Sequence, residues 1–146
     1  MDEIGGFRST LTDEDALAVA MLLQKGHRIA YVAEAMARHS HPCRLIGDAR
    51  RAFDKGYARK VNRPLLSVAG KDEGLGLRYF RALMKELAGR APHLMPYAFA
   101  HTFARWLGYR MGATCTHGPA WLCKALSSQD YYWTSDDYRR ASALRR

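Results

Sequence analysis

The sequence has 146 residues, of which 48% are hydrophobic and 25% charged; this balance supports one globular domain with a core and excludes a disordered chain. Its 23 basic and 14 acidic residues give a net charge of +9, so an anionic partner is favoured: nucleic acid, an acidic membrane surface or a phosphorylated ligand. No apolar run is long enough to span a bilayer, and the acidic, polar N-terminus differs from a signal peptide.

The cysteines are odd in number and include no C-x-x-C pair. They are Cys43, Cys115 and Cys123. This pattern predicts reduced thiols in a cytosolic protein rather than a disulfide framework.

The first distinctive segment is Gly5-Gly6-Phe7. Paired glycines allow a loop to adopt positive φ or to approach a ligand closely. On spacing alone, we interpret this segment as a turn before the first helix.

A helix is predicted over residues 12–25. Thr12 is the expected N-cap, with Asp15 three residues later as in a capping box. The apolar run from Ala16 to Leu23 indicates a buried helix, and Gly26 is the expected left-handed stop.

The three acids at the start of this helix allow two interpretations. In the commoner one, Asp15 caps the helix while Asp13 and Glu14 are solvated first-turn charges. In the other, a carboxylate held at the mouth of a buried helix serves as a general base. The acids also match a D-x-D metal pattern by letter, which is a weak signal.

Residues 28–32 (RIAYV) are rich in β-formers and predict a strand, and residues 33–38 are a candidate for a second short strand. His39 and His41 would then point to one face of the chain. Two such imidazoles can share a metal ion or a phosphate, but an exposed polar strand end is the commoner explanation of an H-x-H pattern. The four-ligand patterns of structural zinc are absent.

The remaining chain predicts helices that carry apolar stripes and positive charge. They span residues 43–59, 73–90, 97–110 and 119–126. Pro64, Gly70 and Gly74 make residues 61–70 the best candidate boundary, which divides the chain into residues 1–62 and a basic helical region, 63–146. The tail from Ser127 is expected to be loosely ordered.

Aromatic side chains are dense over residues 97–110, between basic residues. This composition suits a helix lying on a membrane interface. Core packing within a helical hairpin also explains this composition and is the slightly favoured interpretation.

Several segments, taken in order, resemble a known family. An EIGGF loop, an acid pair opening a helix, GHRIAYVAEA and HSH are followed by RRAFDKG, GLRYFRALMKELAGRAPHLMPYA and KALSSQDYYW. This order is similar to the second half of the catalytic domain of family 2 glycosyltransferases, of GT-A type, and most of all to their bacterial rhamnosyltransferase-like branch. The resemblance runs from Glu3 to about Trp133.

The resemblance implies roles for particular residues. Asp15, with Glu14 beside it, would be the base that deprotonates the acceptor hydroxyl, because a sugar hydroxyl must lose its proton as it attacks the anomeric carbon. The loop Gly5-Gly6-Phe7 would shape the acceptor pocket. His39 and His41 would lie near the donor diphosphate and its divalent cation, Mg²⁺ or Mn²⁺.

The resemblance also implies an absence, because family members begin with a nucleotide-binding α/β half that this sequence lacks. We therefore expect a fragment, truncated or split from a partner chain, that is inactive alone. Its fold should be predominantly α with one or two short strands left from the sheet, whose exposed edges favour low stability or association.

The favoured hypothesis is thus inverting transfer of a sugar, with rhamnose as the candidate, from a nucleotide sugar to a polysaccharide or lipid-linked acceptor. It would occur in the cytoplasm, with peripheral contact to the inner membrane face. The alternative is a non-enzymatic basic helical module that binds nucleic acid or an anionic membrane. Nucleic acid is disfavoured because helix-turn-helix, RNA-binding and zinc-finger patterns are missing.

Overall fold

A computed structural model describes residues 2–37, 44–67 and 74–143. Seven α-helices account for most of these residues, which confirms the predominantly α fold class. They are α1 (Glu14–Gln24), α2 (Leu45–Val61), α3 (Arg63–Leu66), α4 (Leu75–Arg90), α5 (Met95–Thr114), α6 (Ala120–Leu126) and α7 (Asp136–Ala143). Short 3-10 turns occur at Asp2–Ile4, Pro92–Leu94, Cys115–His117 and Asp130–Thr134.

The helix at the acid-rich segment forms as predicted, but its first residues differ. Gly26 has a φ of +87° and ends the helix in the left-handed conformation that was expected. The N-cap is Asp13 rather than Thr12, and no side-chain capping bond forms. The predicted capping box is therefore wrong. Asp13 itself takes a left-handed φ of 63°.

The strand predicted at residues 28–32 is not formed. Residues 27–32 have no regular secondary structure, and a turn follows at residues 33–34. Tyr31 is 93% exposed, and Ile29 and Val32 are also exposed. A strand gains its stability from neighbouring strands and a covered face, and the described residues offer this segment neither.

The centre of the molecule is the crossing of α2 and α5, which approach until their backbones touch. A Cβ added at Gly112 would overlap the carbonyl oxygen of Phe53, and one at Gly108 would overlap that of Ala49. Gly56 of α2 meets the backbone of Tyr109 in the same way. The absence of side chains at these glycines is what permits the close crossing.

A polar contact fixes the register of the same two helices. His101 Nε2 of α5 lies 2.9 Å from Asp48 Oδ2 of α2. This hydrogen bond holds the pKa of Asp48 below its ordinary value. Because α2 precedes and α5 follows the proposed boundary at residue 62, tight packing joins the two regions. The division into domains stays a prediction.

The C-terminal segment is ordered and contributes to the core, so the prediction of a loose tail from Ser127 is wrong. Trp133 is only 4% exposed. Its ring centroid lies 4.8 Å from that of Tyr57 on α2 and 5.2 Å from that of Tyr138 on α7. Leu11, Phe53, Cys123 and Tyr132 complete this buried cluster. The 3-10 turn at 130–134 inserts these rings under α2 although its flanks are polar.

Helix α4 contrasts with this core. Its bounds, Leu75–Arg90, agree with the helix predicted over 73–90, and Pro92 follows two residues after its end. None of its residues is buried. No helix in the described ranges is both long and apolar enough to cross a bilayer.

Candidate functional site

The site suggested by the sequence lies beside an open cleft at the N-terminal end of the chain. Its volume is about 610 Å³. One wall is the loop Phe7–Thr12 with Glu14 of α1, and the other is formed by five residues near the C-terminus: Gln129, Tyr131, Tyr132, Ser135 and Asp137. We call this space the N-terminal cleft. A hydrogen bond of 2.5 Å from Ser9 Oγ to Asp137 Oδ2 ties the two walls together.

Two of the residues proposed from the resemblance line this cleft together. Phe7 and Glu14 both contribute to its walls, and the Phe7 ring is largely exposed. Gly5 and Gly6 are not among the lining residues. They have φ values of 69° and 84°, so they supply the left-handed turn that directs the chain from the first 3-10 turn into the cleft wall.

Asp15, the proposed base, lies in the first turn of α1 and is exposed. Its Oδ1 accepts a hydrogen bond of 2.7 Å from the amide of the next residue, Ala16. Asp15 is adjacent in sequence to the lining residue Glu14 but does not itself line the cleft. Its carboxylate is therefore accessible at the mouth of α1 rather than enclosed.

The structure assigns the structural role among these acids to Asp13. Its side chain is 12% exposed, with Oδ1 3.8 Å from Lys55 Nζ and Oδ2 3.6 Å from Arg59 Nε. Lys55 and Arg59 are one turn apart on α2 and thus present two cations to one carboxylate. The interpretation that made Asp13 a solvated charge and Asp15 the cap is therefore wrong for both residues. Their sequence positions alone could not show which acid faces α2.

The lining of the cleft has the character of a carbohydrate site. Tyr131 and Phe7 offer exposed aromatic faces, on which the C–H faces of a sugar can pack. Hydroxyl groups of Ser9, Thr10 and Thr12, together with the carboxylates of Glu14 and Asp137, can bond sugar hydroxyls. Arg8 is the single lysine or arginine in this lining. The cleft therefore suits a neutral polar ligand better than a diphosphate.

His39 and His41 lie outside the described residues, so their proposed place near a diphosphate and a cation stays a prediction. Within the described part of the chain, no three His, Cys, Asp or Glu side chains converge as a metal site would require. Asp13, the most enclosed of the first-turn acids, is already paired with two cations. Binding of a divalent cation by this chain therefore stays a prediction.

A buried polar cluster that the sequence did not reveal lies behind the second wall of the cleft. Asp54 of α2 is 1% exposed. Its Oδ1 accepts from Ser127 Oγ at 2.5 Å, and its Oδ2 accepts from the Ser128 amide at 2.9 Å and from Ser128 Oγ at 2.5 Å. Burial raises the pKa of Asp54, and the hydrogen bonds from the two serines offset part of that effect.

This cluster joins two of the segments that carried the family resemblance, RRAFDKG and KALSSQDYYW. Ser127 Oγ also accepts from the amide of Gln129, which lines the cleft. Through Ser127 and Ser128, Asp54 therefore holds the segment that carries Gln129, a residue of the cleft wall. The only sequence signal was an acid among the apolar positions of α2, and its partners lie 73 and 74 residues away.

The two described cysteines are free thiols. Cys115 Sγ and Cys123 Sγ lie 3.3 Å apart, and Cys123 belongs to the buried core cluster. Cys43 falls outside the described residues. These positions show that Cys123 packs as a small apolar side chain.

Comparison with known proteins gives two related sequences. The O-antigen chain rhamnosyltransferase WbaN of Salmonella anatum is 32% identical over 145 residues, which are 99% of this chain and 46% of that protein. The O-antigen chain rhamnosyltransferase RfbN of Salmonella typhimurium (strain LT2) is 30% identical over the same shares. The chain thus spans about half the length of these curated relatives. No protein-family model matches it, and no solved structure matches it significantly.

Proposed function

We propose that the chain is the acceptor-side portion of a glycosyltransferase that transfers a sugar, with rhamnose as the candidate, from a nucleotide sugar to a glycan acceptor. The observation that carries this proposal is the similarity over 99% of the chain to two O-antigen rhamnosyltransferases. The acceptor would be a polysaccharide or lipid-linked glycan at the cytoplasmic membrane face. The matched part of each relative is less than half its length, so the nucleotide-sugar half would be supplied by further sequence.

In this proposal the N-terminal cleft receives the acceptor sugar. Tyr131 and Phe7 would stack on it, while the hydroxyls of the loop would orient its own hydroxyl groups. The near absence of basic residues in the lining agrees with a neutral glycan in this position and with a donor diphosphate bound elsewhere.

Asp15 would accept the proton of the acceptor hydroxyl as its oxygen attacks the anomeric carbon of the donor. As that C–O bond forms, the bond to the nucleotide diphosphate breaks, and the diphosphate leaves with the electron pair. Attack from the face opposite the leaving group inverts the anomeric centre. Glu14, which lines the cleft, would hold the acceptor hydroxyl beside Asp15. Positioned acid–base groups typically accelerate such steps by about 10²–10⁴.

A segment exchange in a relative tests this role. The matching half of the Salmonella anatum rhamnosyltransferase would be replaced by this chain, and sugar transfer to its acceptor would be measured. We expect transfer by the chimera, and a loss of about a hundredfold or more in kcat when Asp15→Asn is introduced. The matched control is Asp136→Asn, because Asp136 is exposed, lies in the first turn of another helix and pairs with Arg139 at 3.3 Å.

Two results would count against the proposal. One is an Asp15→Asn chimera that transfers sugar as fast as the control. The other is a folded chimera whose transfer is absent with every acid intact. Circular dichroism and the thermal transition of each chimera establish whether it is folded.

A further inference from the structure

The outer side of the α4–α5 hairpin exposes a row of large apolar side chains. We define the hairpin surface as the exposed side chains of Leu77 on α4 and of Phe99, Phe103 and Trp106 on α5, together with the half-buried Phe80 on α4. Leu77 is 54% exposed and Trp106 is 55% exposed. By contrast, Trp133 in the core is only 4% exposed.

These side chains form one continuous surface. Phe99, Phe103 and Trp106 recur after four and three residues and so share one side of α5. Their ring centroids are 6.5 Å and 5.7 Å apart in stacked arrangements. Phe80 joins α4 to this row, with its centroid 6.1 Å from that of Phe99. The side of α5 that carries the glycines of the α2 crossing points the opposite way.

Positive charge borders this surface. Over α4 and α5, a single acid, Glu86, stands against six basic residues: Arg78, Arg81, Lys85, Arg90, Arg105 and Arg110. Of these, Arg105 lies on the α2 side of α5, near Asp48. Glu86 is paired with Arg90 at 2.8 Å. Arg81 follows Leu77 by four residues and Arg110 follows Trp106 by four, so each cation extends an apolar row by one helical turn.

We propose that the hairpin surface docks on an anionic phospholipid bilayer. The aromatic row would enter the headgroup region, where tryptophan and phenylalanine are stabilised, and the bordering arginines would contact lipid phosphates. This inference rests on exposure and charge and does not depend on the sugar-transfer proposal. The two can fail separately, since one is measured on vesicles and the other on sugar transfer.

The same observations disfavour the other occupants. Two copies of this chain meeting face to face would bring their bordering arginines together, which opposes association. Single-stranded nucleic acid stacks its bases on open aromatic faces, whereas Phe99, Phe103 and Trp106 already stack on one another. An anionic bilayer supplies phosphates opposite the arginines and requires no free ring faces.

The first test locates the contact. The full chain is mixed with vesicles of phosphatidylglycerol and phosphatidylcholine in equal parts, carrying brominated acyl chains, and tryptophan quenching is recorded. We expect binding at least about tenfold tighter than to pure phosphatidylcholine, with quenching that Trp106→Phe abolishes and Trp121→Phe leaves intact. Trp121 is the matched control because it is 71% exposed and lies on α6. Quenching that survives Trp106→Phe would overturn the proposal.

The second test separates local from overall charge. Arg78, Arg81 and Arg110 are replaced together by glutamine and compared with a control in which Arg44, Arg51 and Lys60 are replaced, so both variants lose three charges. We expect about a hundredfold weaker vesicle binding for the first variant and less than about fivefold for the control. Equal losses would contradict docking through this surface. So would a dimer that Trp106→Ser dissociates, or DNA binding more sensitive than vesicle binding to the first triple change.

Discussion

The two faces of α5 differ sharply, although they belong to one helix. On one face, Gly108 and Gly112 bring its backbone against α2. On the other, Phe103 and Trp106 remain exposed, and α4 adds contacts without burying any of its own residues. The comparison shows that small residues, not large apolar ones, mark the packed side of this helix. Large apolar side chains here indicate a surface available for a partner.

The largest expected difference in the free energy of unfolding is between alanine substitutions of two tryptophans, one in the core and one on the exposed face of α5. Trp133→Ala should lower the free energy of unfolding by about 4 kcal/mol, because it removes a ring that packs against Tyr57 and Tyr138. Trp106→Ala should cost less than about 1 kcal/mol, because its ring is half exposed. Urea unfolding followed by circular dichroism measures both. Similar losses would mean that the outer face of α5 is as tightly packed as the core.

The next comparison is between alanine substitutions of two glycines, one at the α2–α5 crossing and one on α4. Gly112→Ala should lower the free energy of unfolding by about 3 kcal/mol, because its Cβ overlaps the Phe53 carbonyl and the helices must separate. Gly89→Ala on α4 meets open space and should stabilise the protein by about 0.5 kcal/mol through helix propensity. The same urea titrations apply. A mild effect of Gly112→Ala would show that the crossing is looser than described.

A smaller effect is expected at the buried carboxylate beneath the cleft. Asp54→Ala should lower the free energy of unfolding by about 2 kcal/mol, because it leaves the Ser128 amide and two hydroxyls without their acceptor. Asp54→Asn retains an acceptor oxygen and should lose less. If the alanine and asparagine variants were equally stable, the hydrogen bonds would contribute little.

The same residue predicts a dependence on pH. Because its folded-state pKa lies above the ordinary value, the folded protein keeps a proton that the unfolded chain has already released. The associated stability is complete below the ordinary aspartate pKa and is lost as pH rises through the raised value. Wild type should therefore gain stability relative to Asp54→Asn as pH falls from neutral through that window. Parallel pH curves for the two proteins would contradict the raised pKa.

Sequence reasoning was sufficient where short-range pattern decides structure. The helical spacing of α4 and the glycine that ends α1 both act within a few residues, and both features were predicted correctly. From the family resemblance, the loop around Phe7 was assigned to the acceptor pocket and the acid pair to proton transfer from the acceptor. Phe7 and Glu14 line the same cleft. What these residues do chemically stays a prediction.

The errors have a common physical origin in distant contacts. Trp133 was assigned to a loose tail because it lies near the C-terminus, yet its ring packs against Tyr57 on α2. Asp13 was assigned to solvent, but it pairs with Lys55 and Arg59. These partners lie on another helix, so the local sequence does not reveal them. The segment at 28–32 has strand propensity, but no neighbouring strand among the described residues supports it. Each outcome depends on a contact that local spacing cannot show.

The 3-10 turn at 130–134 has a practical consequence for studying ligands. Tyr131 faces the cleft while Trp133, two residues later, sits among the buried rings. A molecule that displaces the cleft wall must therefore disturb the surroundings of an indole whose emission is sensitive to its environment. The fluorescence of Trp133 can therefore be used to follow ligand binding in the N-terminal cleft without an attached dye.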